Sequence, residues 1–120
     1  VFAPGALGGA VHPDTIDRLK AKAIAGGANN QLASPEMGDR LMAKGILYAP
    51  DYVINGGGII NVASEVSGRY DPDWVDAKIR QLNATLEAVF DCAAAEGRST
   101  HRVADDMARE RIARAREHAA

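Results

Sequence analysis

Two adjacent primary amides, Asn29 and Asn30, are the residues of this chain best suited to recognition chemistry. Each offers a donor and an acceptor, so the pair can read another amide or a carboxylate without burying a charge. They close the stretch Gly26-Gly27-Ala28-Asn29-Asn30, where a second reading fits as well: asparagine tolerates left-handed backbone angles, and turns use it for that reason. On local sequence alone the turn is favoured, because turn asparagines are common. The other candidate is Gly56-Gly57-Gly58-Ile59-Ile60-Asn61. It imitates part of a dinucleotide fingerprint but lacks the third small residue and the βαβ context with an acidic residue about twenty positions on, so it is rejected as a pyrophosphate loop. Two readings remain for it. The glycines bring a helix backbone against a ligand, with Ile59 and Val62 three apart on one face as an apolar wall, or they serve tight packing against a sheet.

The remaining reactive side chains form no constellation. His12, His101 and His118 lie far apart with no metal-ligand spacing, and no serine or cysteine nucleophile motif accompanies them, so they read as surface or capping residues. Cys92 falls in an apolar stretch and reads as a small buried thiol. No lysine sits in an apolar pattern that would lower its pKa. Neither a catalytic acid, base or nucleophile nor a metal site is expected.

These residues need elements to position them. Val1-Phe2-Ala3 reads as the end of a short apolar strand cut at its first residues and stopped by Pro4, so the fold is expected to begin upstream. A short stripe, Ile16 and Leu19, follows Pro13; Ala23-Ile24-Ala25 and Ile46-Leu47-Tyr48 are the second and third strand candidates. Ser34-Pro35-Glu36, with a capping hydroxyl before a proline, opens a helix that Lys44-Gly45 closes. A helix from Tyr52 is expected to carry Ile54, Ile59, Ile60 and Val62, although each internal glycine costs about 1 kcal/mol against alanine. Asp71-Pro72 opens a long amphipathic helix on Val75, Ile79, Leu82, Leu86, Val89 or Phe90, and Ala93, which Gly97 ends. A last helix from Ser99 or Thr100 turns Val103, Met107 and Ile112 inward and Arg109, Arg111, Arg114 and Arg116 outward.

Three short apolar strands alternating with helices predict an α/β fold with a parallel sheet, capped by two long C-terminal helices. Ligands in such sheets sit at the carboxyl ends of the strands, which selects the loops Pro4 to Gly9, Gly26 to Asn30 and Ala49 to Asp51. The 120 residues are 47% hydrophobic and 25% charged, which fits one ordinary globular unit, and the net charge of -2 argues against a nucleic-acid partner. No apolar run reaches membrane-spanning length, and the start lacks the basic flank of a signal peptide. One cysteine excludes an internal disulfide framework and suits a reducing, cytoplasmic compartment.

In order and spacing, Phe2-Ala3-Pro4-Gly5-Ala6-Leu7-Gly8, Ala25-Gly26-Gly27-Ala28-Asn29-Asn30 and Tyr48-Ala49-Pro50-Asp51-Tyr52-Val53-Ile54-Asn55-Gly56-Gly57-Gly58-Ile59-Ile60-Asn61 resemble the C-terminal half of the leucine dehydrogenases, within the glutamate/leucine/phenylalanine/valine dehydrogenase family. The resemblance implies that residues 1–68 are the second half of a Rossmann-type NAD-binding domain and 69–120 a C-terminal helical segment. The substrate domain with its catalytic lysines, and the glycine-rich nucleotide fingerprint, would precede Val1. It implies NAD-dependent oxidative deamination of an L-amino acid to its 2-oxo acid and ammonia, in a homo-oligomer. By position, Ala3, Gly5, Ala6 and Asn29 would contact the cofactor, and Asn30, Ile59 and Val62 the substrate.

Two positions depart from the family pattern: Gly5 stands where cysteine is common and Gly56 where alanine is usual. Val62 replaces the hydroxyl residue that serves the distal carboxylate in glutamate-specific relatives, and Ile59 occupies space that an aromatic substrate needs. A branched-chain substrate is therefore expected. The alternatives are a phenylalanine-type dehydrogenase and a non-catalytic α/β ligand-binding or oligomerisation module on the same fold. Without a candidate catalytic lysine, these 120 residues alone are expected to be inactive, and a strand edge should stand open where more of the sheet would pair.

Overall fold

Local signals fix most element boundaries. The computed structural model describes residues 1–66, 68 and 70–119. His12 caps α1 (Pro13–Ile16): its ring accepts from the Asp14 N–H, and its own N–H donates to Thr15, a capping box built on histidine. α2 (Pro35–Ala43) begins after Ser34 and ends at Lys44, with Gly45 at φ 68°. The Ser34 hydroxyl makes no cap, however. It bonds the Glu36 carboxyl, and this holds that group below the usual carboxylate range.

Parallel pairing joins β1 (Ala23–Ile24) to β2 (Leu47–Tyr48), in register Ala23 with Leu47 and Ile24 with Tyr48. The expected third strand is reduced to a single bridge from Phe2 to Ile24, so two strands stand where three were predicted and the chain is mostly helical. Phe2 uses both its backbone groups on β1, donating to Ala23 and accepting from Ala25, but Pro4 has no N–H with which to extend the ladder. A second isolated bridge links Val11 and Leu32. Against this small sheet pack Val11, Ile16, Ile24, Met37, Leu41, Ile46 and Tyr48, with Phe2, Leu19 and Leu32 at the margin.

The helix predicted from Tyr52 is two helices, α3 (Asp51–Ile54) and α4 (Gly57–Val66), separated by Asn55-Gly56. Glycine weakens the helix there, and Gly56 also fits under Leu82, whose two methyl carbons would lie 3.3 and 3.4 Å from an added Cβ. That packing is against a helix and not against the sheet. α5 (Pro72–Glu96) is bounded as its sequence predicts: Asp71 accepts from the N–H groups of Asp73 and Trp74, and Gly97 turns the chain at φ 62°. The division foreseen at 68–69 falls on Arg69, outside the described residues.

α6 (Thr100–Ala119) folds back onto the sheet: the Thr100 hydroxyl donates to the Tyr48 carbonyl over 2.6 Å, and Ser99 and Arg102 both bond Asp39 of α2. Val53, Val89, Ala93, Val103 and Ala104 form a second core between α3, α5 and α6, with Leu86, Cys92 and Met107 at its edge. Ile112 does not turn inward as expected; it is 54% exposed, because the far half of α6 runs past the core into solvent. A Glu110–Arg114 pair laces that half, and an Asp105–Arg109 pair the half before it.

Candidate functional site

The three loops selected from the sequence converge at the carboxyl ends of the strands. Gly26 makes the first approach possible: a Cβ there would strike the Pro4 carbonyl oxygen and lie 2.5 Å from its nitrogen, so only glycine fits. Ala28 then donates its N–H to the Pro4 carbonyl at 3.0 Å, and Gly9 donates to the Asn30 carbonyl at 2.7 Å. The second loop is thus sewn to the first at both ends.

The third loop joins through Gln31 and Asp51. Gln31 is fully buried; its backbone N–H donates to Asp51 Oδ2 at 3.0 Å, and its Nε2 donates to the carbonyls of Gly26 and Ala28 at 2.7 and 2.8 Å. Its Oε1 is buried without a hydrogen-bond partner among the described residues. Asp51 accepts from the Tyr52 N–H at 2.7 Å through its other oxygen and donates its own N–H to the Tyr48 hydroxyl at 3.3 Å. Burial, and then the nearby Asp51 charge, push the Tyr48 phenol far above its ordinary pKa, so it stays protonated. Burial, then the charges of Asp105 and Asp51, raise Tyr52 to about 12.

Asn29 and Asn30 project from this frame into solvent. Asn29 Oδ1 accepts from Asn55 Nδ2, in the break between α3 and α4, which ties the asparagine loop to the start of α4. Among the described residues Asn30 is the one non-glycine with positive φ, at 54°. The turn reading of this asparagine therefore holds, and it coexists with an exposed amide. Ala3, Gly5 and Ala6 are exposed beside it. An added Cβ on Gly5 would meet only the Ala3 carbonyl, at 4.0 Å, so this loop offers bare backbone.

Ile59 and Val62 share one face of α4, 77% and 54% exposed, in a shallow apolar groove with Gly58, Ala63 and Val66. Added Cβ atoms on Gly57 and Gly58 would meet nothing within 4 Å. Gly56 is thus the packing glycine, while Gly57 and Gly58 border open space where another surface or a ligand can approach. The fold joins the loop of Ala3, Gly5 and Ala6 to that of Asn29 and Asn30 and holds Ile59 and Val62 on a separate element, linked to Asn29 through Asn55.

Sequence reasoning placed Asp51 in a selected loop without a role for it, and missed Gln31 and Asn55. Asp51 carried a signal, an acidic residue in the first turn of a helix, where it complements the helix dipole. Gln31 and Asn55 carried none, since their partners are fixed by the meeting of three loops. Chemically the arrangement is equipped to recognise and orient a ligand. It presents amides, backbone groups and an apolar face, and its carboxylate is engaged by two N–H groups. No group of three or more metal-binding side chains occurs among the described residues. Cys92 is half-buried and bonds Glu96, and that bond and its burial push the thiol up, away from reactivity.

The family model that describes glutamate/leucine/phenylalanine/valine dehydrogenase matches residues 1–119. The chain is 51% identical to a leucine dehydrogenase of Geobacillus stearothermophilus over 93% of its own length and 30% of the relative's. To a valine dehydrogenase of Streptomyces coelicolor it is 47% identical over 97% of this chain and 32% of that one. It superposes on the crystal structure of L-tryptophan dehydrogenase from Nostoc punctiforme with a TM-score of 0.86 and 45% identity, covering 94% of this chain and 34% of that one. The chain spans about a third of the length of these relatives.

Proposed function

The chain belongs to the glutamate/leucine/phenylalanine/valine dehydrogenase family, and from that premise we propose that the whole protein is an NAD-dependent dehydrogenase of branched-chain L-amino acids. The reaction is oxidative deamination to the 2-oxo acid and ammonia, reversibly. The observation that carries this is the pairing of an exposed asparagine loop with an apolar strip: Asn29 and Asn30 beside bare backbone at Ala3, Gly5 and Ala6, coupled through Asn55 to Ile59 and Val62 on α4.

Members of the family are generally NAD(P)-dependent, and the donor set here suits a nicotinamide: an uncharged amide at Asn29 and unobstructed backbone at Ala3, Gly5 and Ala6 match a flat ring bearing a carboxamide. Bound NAD would supply the hydride acceptor. The chain's own residues do the orienting. Asn30 offers its amide to the amino-acid head of the substrate. Ile59 and Val62 offer the side chain an apolar surface with nothing to pair a charge, so a distal carboxylate would be buried at a cost of several kcal/mol. Proton transfer falls to lysines outside these 120 residues. A Rossmann-type role for residues 1–68, a C-terminal helical segment at 69–120, a cytoplasmic location and homo-oligomeric assembly belong to the same proposal.

The test is NAD reduction by the full-length protein with leucine, valine, isoleucine, phenylalanine, tryptophan and glutamate, ranked by kcat/KM. The three aliphatic substrates should lead. A glutamate preference overturns the substrate assignment, and the absence of reduction with every amino acid favours a non-catalytic module. A second reading, an aromatic amino-acid dehydrogenase, is favoured by the 45% identity to the L-tryptophan dehydrogenase; in that case phenylalanine or tryptophan would lead.

A further inference from the structure

Asn29 and Asn30 stand on a loop with no regular secondary structure of its own, yet that loop holds a left-handed residue in place. The reason lies one residue further on. Gln31 reaches back with a single amide nitrogen and spends both of its N–H groups on the loop's own carbonyls, Gly26 at 2.7 Å and Ala28 at 2.8 Å, while its backbone N–H is held by Asp51 at 3.0 Å. Two carbonyls of the loop are thus held by one buried side chain. Asp51 is itself fixed at the start of α3 by the Tyr52 N–H. We infer that Gln31, seated on Asp51, is the positioning residue that holds the 26–30 loop in the shape that presents Asn30 to the substrate.

The clamp is specific to a primary amide of this length. A glutamate would set a carboxylate against two carbonyl oxygens, and a methionine would fill the space and leave both carbonyls without a donor. A displacement of about 1 Å in an orienting group costs on the order of a hundredfold in rate. Gln31 touches no substrate in this scheme, so its effect must pass through the loop it holds, by way of Asn30 and its neighbour Asn29. That distinguishes it from a residue that only stabilises the fold.

This inference rests on the dehydrogenase reading, and a double-mutant cycle in the full-length protein tests it. Gln31→Met, Asn30→Ala and the double variant are assayed for kcat and KM with leucine, alongside thermal unfolding to confirm that each is folded at the assay temperature. Gln31→Met should lower kcat by about 10- to 100-fold. Because both act on the one loop, the double variant should lose far less than the product of the two single losses. Should Gln31→Met fail to fold, Asp51→Asn takes its place in the same cycle. A folded variant with wild-type kcat, or losses that multiply independently, overturns the clamp while leaving the dehydrogenase standing. A wild-type protein that reduces no NAD with any amino acid overturns both.

Discussion

Ile59, at 77% exposure, is the residue on which substrate choice should turn most visibly. It stands on α4 with open space over Gly57 and Gly58, so its side chain can meet a substrate without first moving a neighbour. Shortening it should enlarge the apolar surface by about three carbons' worth of room. Each methylene in such a pocket is worth roughly 1–3 kcal/mol of discrimination, so Ile59→Ala in the full-length protein should raise the phenylalanine-to-leucine ratio of kcat/KM by about tenfold or more. An unchanged ratio would remove Ile59 from the specificity surface. Gly26→Ala tests the frame and not the contact. Its Cβ has nowhere to go but into Pro4, and because the obstacle is backbone, relief means separating the two loops. A loss of about 1–3 kcal/mol in stability is expected from denaturant unfolding, with activity falling further than stability explains.

At this scale the sequence was informative where chemistry is intrinsic to a residue type and silent where it depends on a distant partner. Asn29 and Asn30 stand out by what an amide can do. Gln31 does not, because its role exists only once Gly26, Ala28 and Asp51 are in place around it.

Elements repeat the same division. α5 was legible at both ends because Asp71, Pro72 and Gly97 act within one turn of where they stand, although Ile79, expected inward, is 40% exposed. The break at Gly56 was not, since the groove it fills belongs to Leu82, far along the chain. Ile112 misled for a related reason: its spacing is that of an inward residue, but the core ends before the helix does. The cap at Gly97 gives a clean test. It has φ 62° and no atom within 4 Å of an added Cβ, so Gly97→Ala meets only backbone strain and should cost about 1 kcal/mol. Asparagine at the same position should cost less, as thermal unfolding of the two variants will show.

The tie between α2 and α6 adds a pH dependence. Arg102 and Ser99 hold Asp39 below its ordinary value of 3.8, with partial burial opposing them. A lowered carboxylate contributes stability above its unfolded value and loses that contribution as pH falls through the folded one. Acidification below about pH 4 should therefore loosen α6. The pair is a little under half exposed, so Arg102→Met should lower stability only slightly at neutral pH and flatten the acid limb. An acid limb identical in the variant would assign the dependence elsewhere.

Taken whole, the molecule measures 47 × 32 × 21 Å and leaves its apolar surface unevenly distributed. Val1 at 88%, Leu7 at 85%, Ile59 at 77% and Val66 at 80% are exposed on the first-loop and α4 regions that carry the proposed site. The sheet adds an asymmetry of its own. On the β2 side the Thr100 hydroxyl occupies the Tyr48 carbonyl, whereas on the other side Phe2 spends both its backbone groups inward and Val1 and Ala3 remain exposed. A single apolar side chain in water is ordinary, but an apolar strip on α4 and an uncovered strand edge at Val1 to Ala3 are each surfaces for pairing. The 120-residue chain prepared alone should therefore self-associate in a concentration-dependent way by sedimentation, and it should reduce no NAD with any amino acid. Charged substitutions at Ile59 and Val66 should return it toward the monomer, because they place charge on the strip without disturbing either buried core. A monomeric wild-type chain at high concentration would show that the strip and edge are too small to associate. Association undiminished by the charges would move the contact to the Val1 edge, where Ala3→Pro should then abolish it by adding a residue with no N–H to donate.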